Sequence, residues 1–443
     1  MDARFVPFAR ACPASIAEPV SLPPAEYMEK PGPRWTDDSS PASDDRLRAA
    51  PPAWRRATLA MFLGGFATFA MLYSTQPLLP LFAETFAIGA ARASLSVSAG
   101  TAALAVALIP ASVLADRYGR DRVMKMSLAL AAAVASASAL VDDFNHLLIL
   151  RVLLGAALAG LPAAAMAYLG AEVDPPAQGK TMGIYIAGNA LGGMSGRLLA
   201  ALLADLGEMG GWRLALFVPG LLGVIAALVF WRYLPPSRHF HPRAAAPRRI
   251  LADARAIFTD AGLPWLFATG ALAMGCFIGV YNYLGFHLMQ APFNFSQRAI
   301  GAVFLLYLVG SWSSAFAGQL ADRHGRRRVQ WGMVLAMLAG LALTLVGQPA
   351  VLIAGVAIFT FGFFAAHTLS SSWVAHRGKE QRGLATAIYL SAYYLGASLI
   401  GSLSGFAWTH GGWLGIVAAL ALCLLVLFAI VLRLKKLPVE GDY

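Results

Sequence analysis

Twelve apolar runs follow one another from Ala57 onward, at residues 57–82, 94–115, 123–141, 146–170, 181–204, 213–234, 264–289, 299–321, 329–347, 350–373, 383–406 and 412–432. Each is long enough to cross a bilayer as a helix, which takes about 20 predominantly apolar residues. Their ends are placed to within a few residues. An even number of crossings puts both chain ends on one side. With a cytoplasmic N-terminus, the loops and flanks on that side hold 25 Lys and Arg, from Arg46 to Lys436. The opposite side then holds only Arg92, Arg213 and Arg298. That bias sets the orientation, with both termini cytoplasmic.

Three stretches lie outside this pattern. Residues 1–52 carry Pro23-Pro24, Asp37-Asp38-Ser39-Ser40 and Asp44-Asp45 without an apolar run. They read as a disordered cytoplasmic tail. The tail has no apolar core of the signal-peptide kind, which leaves the first helix to direct insertion. Residues 235–262 form a polar cytoplasmic linker between a six-helix bundle at 53–234 and another at 263–433, and 434–443 form a short cytoplasmic tail.

The two bundles repeat each other. Leu114-Ala-Asp-Arg-Tyr-Gly-Arg120 returns as Leu320-Ala-Asp-Arg-His-Gly-Arg326, an offset of 206. Ile184-Tyr-Ile and Leu191-Gly192 return as Ile388-Tyr-Leu and Leu395-Gly396, an offset of 204. Gly211-Trp212 returns as Gly412-Trp413, an offset of 201. The predicted fold is an all-α membrane protein with 12 transmembrane helices in two pseudo-symmetric six-helix bundles. Duplicated halves of this kind build rocking secondary transporters, with a site between them near mid-membrane.

Composition removes the other broad classes. The chain is 58% hydrophobic and 13% charged, against about 45–50% and about 25% for soluble domains. A net charge of +11 would suit nucleic acid, but cytoplasmic loops collect Lys and Arg for topological reasons, so no nucleic-acid partner is expected. Cys12, Cys276 and Cys423 lie far apart with no metal spacing, two of them inside apolar runs, and imply neither disulfide nor metal site. No G-x4-G-K-[ST] segment is present, so ATP is not the expected energy source. No catalytic constellation is visible, and the chain is not read as an enzyme.

The loops after the second and eighth runs carry the strongest motif. The second copy reads Gly318-Gln-Leu-Ala-Asp322-Arg323-His-Gly325-Arg326-Arg327. It matches G-x3-D-R-x-G-R-R, and on it the chain resembles the major facilitator superfamily. The first copy, with Asp116, Arg117, Gly119 and Arg120, departs by Ser112 for Gly and Asp121 for the last base. A carboxylate in such a turn can face the positive end of a neighbouring helix. The resemblance implies that Asp116 docks on helix eleven and Asp322 on helix five, latching one conformation. Plain positive-inside anchoring is the alternative.

Other segments resemble the same family. Arg151-Val-Leu-Leu-Gly155 looks like its R-x-x-x-G segment, which implies a role for Arg151 in proton or conformational coupling. A guanidinium within a membrane helix needs water or a polar partner, or snorkels to the interface. Gly188, Gly192, Gly193 and Gly196 are similar to the antiporter motif G-x-x-x-G-P-x-x-G-G, with Gly193 in place of Pro and Arg197 in place of the last Gly. Small residues at four-residue spacing allow close helix contact, and in the family that face marks exporters. Ordinary tight packing is the other reading. Arg197 could hold an anionic substrate group in a two-point contact, or pair with Asp205 or Glu208.

Few other polar groups lie within the runs. In this family helices one, four, seven and ten line the path, which favours Gln76, Asn282 and His367; Asn189 lies on helix five with Tyr185. His367 has an ordinary pKa within reach of physiological pH, and its alternative is a hydrogen bond to Ser370 or Ser371. No Asp or Glu sits in mid-membrane, because Glu84 and Glu172 fall at helix ends.

Tyr73-Ser-Thr-Gln-Pro-Leu-Leu-Pro80, Gly160-Leu-Pro162 and Phe361-Gly-Phe-Phe-Ala-Ala-His367 are similar to the bacterial inner-membrane efflux branch of the superfamily. The resemblance implies a monomeric, multi-pass inner-membrane protein. Its partners would be the lipid bilayer and a small organic substrate, exported by proton antiport with no bound cofactor. A proton-linked nutrient importer is the main alternative. A membrane sensor signalling through the tail is the other.

Overall fold

The computed structural model describes residues 52–206, 211–239 and 247–436. The expected tails at 1–52 and 434–443, and part of the linker at 235–262, lie largely outside that set. Among the described residues the chain is helical almost throughout, with no strand.

The first half contains six spans, at Pro52–Thr85, Ala90–Tyr118, Arg120–Leu140, Phe144–Glu172, Pro175–Ala204 and Gly211–Tyr233. In the second half, spans 7, 8 and 10 are Leu263–Met289, Gln297–His324 and Pro349–Arg377. Span 9, Arg326–Leu343, opens on three arginines. The helix Arg382–Lys435 has 54 residues, about 81 Å at 1.5 Å per residue, far more than one crossing of about 30 Å. It is broken at Gly412, where φ is 54° and ψ −140°, and so supplies span 11 (382–411) and span 12 (413–435). With span 9 added and the last helix divided, the described residues hold twelve spans, as the apolar runs predict. A further helix, Pro247–Thr259, occupies the expected linker and packs Ile257 beside Leu263 and Leu266.

Two features that the apolar pattern does not show shape the centre. Span 1 is interrupted: its helix stops at Tyr73 and resumes through a tight turn at Gln76–Leu78 into Leu79–Thr85. Pro77 and Pro80 lack the N–H that would bond the carbonyls of Tyr73 and Gln76, so the ladder fails there. Span 8 tightens in the same way at Phe304–Leu306.

The halves share one packing scheme. In the first, a Cβ on Gly188 or Gly196 of span 5 would approach Phe62 O or Ala70 Cα of span 1 to 2.5 Å, and one on Gly192 would collide with Phe66 O. In the second, Gly396 of span 11 meets Ala271 O of span 7 in the same way. Tyr185 packs on Gly65, and its counterpart Tyr389 packs on Gly270. Gly193 is the exception in its motif, since a Cβ there would meet only Arg197 Nη1 at 3.3 Å and Phe69 Cβ at 3.9 Å.

Asp260 fixes the entry to span 7. Its Oδ1 accepts hydrogen bonds from the Gly262 and Leu263 N–H groups at 2.8 and 2.7 Å and from Arg377 Nε at 2.6 Å. Partial burial pushes the carboxyl up, but Arg377 and the two amides outweigh it and hold the group below its ordinary 3.8. A depressed folded value stabilises the fold fully above the unfolded value and loses that contribution as pH falls through the folded one. The thermal midpoint is therefore expected to fall towards that of Asp260→Asn below about pH 4, and the two should stay apart at pH 7.

Candidate functional site

Where span 1 breaks, the last carbonyls of its helix need donors. Arg151 of span 4 supplies them. Its Nη1 donates to Met71 O at 3.2 Å, its Nη2 to Leu72 O, and its Nε to Ser96 O of span 2 at 2.8 Å. The side chain is 1% exposed, so it does not snorkel. The polar partners that an intramembrane arginine requires are backbone.

Arg197 lies on the other side of the break. Its Nε donates to Gln76 Oε1 at 2.6 Å and its Nη1 to Gly193 O at 2.6 Å. Its guanidinium carbon sits 4.0 Å from the Tyr73 ring centroid, 4.8 Å from Tyr307 and 5.5 Å from Phe304. Gln76 Nε2 in turn donates to Asn282 Oδ1 of span 7 at 2.8 Å. Arg197, Gln76 and Asn282 thus form one chain from the first half into the second. The expected partner Asp205 is taken by Arg298, and Glu208 lies outside the described residues. No carboxylate pairs with Arg197 among the described residues.

His367 faces the same centre from span 10. Its Nδ1 lies 2.9 Å from the Tyr389 hydroxyl and its ring 4.5 Å from Tyr393. The expected alternative partner Ser370 instead bonds Gln330 and Thr269, and Ser371 bonds Thr368 O. Tyr393 packs against Tyr389, Tyr394 and Phe363, and Phe363 stacks on Phe277, which meets Tyr307. The structure therefore brings Gln76, Arg197, Asn282 and His367 to one tyrosine-lined centre. Asn189 stands apart, half-buried against Gly65 and Tyr185 on the span 1–span 5 face.

Tyr307, Phe304 and Tyr281 also line this centre, outside every motif of the sequence. Tyr281 bonds Thr360 at 2.9 Å and stacks on Phe304. The repeat offset could have found it, because Gln76 and Tyr281 are 205 apart. Tyr307 is one aromatic in an apolar run and carries no such signal.

The halves join mainly on the side away from the Asp116 and Asp322 turns. Tyr283 donates to Ser94, Gln297 to Pro77 O and Ser398 to Ser98 O. At the basic end the two turns show φ 105° at Gly119 and φ 80° at Gly325, a backbone that favours glycine. Neither docking implied by the motif is made in this conformation. Asp116 is bonded within its own turn, to Arg120 at 3.3 Å, and Arg120 also donates to Ala167 O. Asp322 is exposed and has no partner among the described residues, as has Arg323. Arg117 lies exposed against Tyr118, and Arg326 lines a cavity of about 300 Å³ with Ser372, His376, Lys379 and Arg382. A Cβ at Gly318 would meet nothing within 4 Å, so Gly318→Ala is expected to leave the amount of folded protein unchanged, read by size-exclusion chromatography of solubilised membranes. An apolar crevice of about 420 Å³ lies in the first half between spans 1, 5 and 6, lined by Phe66, Ala70, Leu199 and Pro219 and not by the residues of this centre.

A model of the Major Facilitator Superfamily matches residues 61–378 and again 288–442. The chain belongs to this superfamily. As a major facilitator protein it is a multi-pass membrane transporter. Its sequence is 40% identical over 411 residues to the inner membrane transport protein YnfM of Escherichia coli K12, covering 90% of this chain and 98% of that one. It is 37% identical to the MFS-type transporter YybF of Bacillus subtilis 168, over 86% of this chain and 93% of that one. Among solved structures, the major facilitator fold is shared with a bacterial homologue of the human lysosomal transporter Spinster in an inward-facing, occupied conformation. The TM-score is 0.75 at 16% identity, covering 88% of this chain and 100% of that one. The nucleoside transporter NupG matches with a TM-score of 0.68 at 19% identity, covering 86% and 100%.

Proposed function

We propose that this major facilitator protein is a monomeric secondary transporter of the bacterial inner membrane, exporting a small organic compound against inward proton flow by alternating access. The observation that carries the reading is the Arg197–Gln76–Asn282 chain. It ties the halves together beside a tyrosine-lined centre while Asp116 and Asp322 are undocked at the basic end. With the basic ends and both termini in the cytoplasm, as the Lys and Arg bias favours, this state is open inward. The sealed glycine face of span 5 on span 1 supports export. His367, which reaches the centre through Tyr389 and Tyr393, is the proton carrier, and Asp116 and Asp322 are the latch that forms when the halves rock the other way.

Inverted membrane vesicles, energised to an acid interior and read with a pH-sensitive dye, test direction and coupling. A substrate should release protons and restore fluorescence only when the protein is present. No response to drugs or metabolites, with insertion verified, would move the reading to import or another coupling ion. Asp116→Asn and Asp322→Asn should each lower transport about tenfold with unchanged membrane levels. Full activity in both would remove the latch.

A further inference from the structure

Arg197 has more donors than its surroundings use. A guanidinium offers five N–H groups, and here two acceptors are found, Gln76 Oε1 and Gly193 O. It is 1% exposed and no acid among the described residues balances its charge. Beside it, the Tyr73 and Tyr307 hydroxyls and Asn282 Nδ2 are buried without a hydrogen-bond partner. The guanidinium carbon lies 4.0 Å from the Tyr73 ring centroid and 4.8 Å from that of Tyr307. This buried cluster is short of acceptors and of negative charge.

We propose that this cluster receives the carboxylate of a monovalent organic anion, and that such anions are the transported class. The inference rests on the transport reading above. A carboxylate accepts two parallel N–H bonds from a guanidinium edge, and Arg197 Nε and Nη1 make the bonds to Gln76 and Gly193 while Nη2 makes none among the described residues. Its remaining lone pairs suit the tyrosine hydroxyls and the Asn282 amide. One cation balances one negative charge, which selects a monocarboxylate over a dianion such as a phosphate monoester. The half-buried rings of Phe69 and Phe364 pack on Tyr73 and Tyr307, and half-buried Tyr393 packs on Phe363; such rings suit an apolar or flat body behind the charged group.

The test uses the purified full chain in lipid nanodiscs, with thermal midpoint and tryptophan fluorescence read against benzoate, cyclohexanecarboxylate, phthalate, benzamide and benzylammonium. The monocarboxylates should stabilise it saturably, and the amide, the cation and the dianion should not. Arg197→Gln should weaken monocarboxylate binding at least tenfold, and Tyr307→Phe, which removes only a hydroxyl, about threefold. If Arg197→Gln fails to fold, Tyr73→Phe joins Tyr307→Phe as the test. Absence of binding by both monocarboxylates, equal stabilisation by benzamide, or wild-type affinity in these variants would each overturn the proposal. Counterflow of labelled benzoate in proteoliposomes separates the two readings. Binding without counterflow keeps the carboxylate site and refutes transport, whereas counterflow of benzylammonium or benzamide without carboxylate binding keeps transport and refutes the carboxylate site.

Discussion

Replacing Arg151 with methionine should remove most of the folded protein from the membrane, not merely its activity. Arg151 donates to Met71 O, Leu72 O and Ser96 O at the point where span 1 loses its own hydrogen bonds. Methionine fills similar space but donates nothing. Met71 O keeps the Ser74 hydroxyl and Ser96 O lies within the span 2 helix, so Leu72 O is the one of the three left bare. The loss is that of three hydrogen bonds from a charged donor, at about 1.5–3 kcal/mol each, or about 4.5–9 kcal/mol together. Taking a guanidinium out of the bilayer interior returns roughly 2.5–3.5 kcal/mol. The balance falls on the side of loss across that range. Fluorescence-detected size-exclusion chromatography of solubilised membranes checks it, with Arg151→Lys expected to recover part of the peak. A wild-type peak without transport would instead place Arg151 in coupling alone, the role that family resemblance gives it.

Gly192→Val should abolish transport, and Gly396→Val should do the same from the other half. Both added side chains run into backbone, at Phe66 and Ala271, which cannot rotate away. The helices must separate, and overpacking of this kind costs about 1–3 kcal/mol or more. Gly193→Ala is the control, since its Cβ meets only the tip of Arg197 and Phe69. Equal loss in Gly192→Val and Gly396→Val, with Gly193→Ala spared, is the expected pattern from vesicle transport normalised to protein amount. Near-normal transport in Gly192→Val would refute the close approach.

Most of the architecture was legible because a membrane makes length and polarity decisive. Even span 9, with its arginine-rich start, falls at 329–347 in the apolar pattern and at Arg326–Leu343 in the structure. What the pattern could not show was continuity. An apolar run reports that a segment can cross, and says nothing of the break at Tyr73 that creates the need for Arg151. Side-chain pairing was equally hidden. Asp205 is near Arg197 in sequence, yet Arg298 reaches it from the start of span 8. His367 is one helical turn from Ser370 and Ser371, yet its partner Tyr389 comes from span 11. Glycine spacing did reveal one helix face, and the repeat then identified its twin.

The unbalanced charge at Arg197 also bears on voltage. A charge moved through the full membrane potential gains or loses about 2.3 kcal/mol per 100 mV. With Arg197 exposed alternately to either side, the field acts on the empty protein and biases which way it faces. A bound monovalent anion cancels that charge, so the loaded protein turns over with little regard to potential. The resting voltage of the cell then acts on the return leg that carries the proton, and leaves the cargo-bearing step to the chemical gradients.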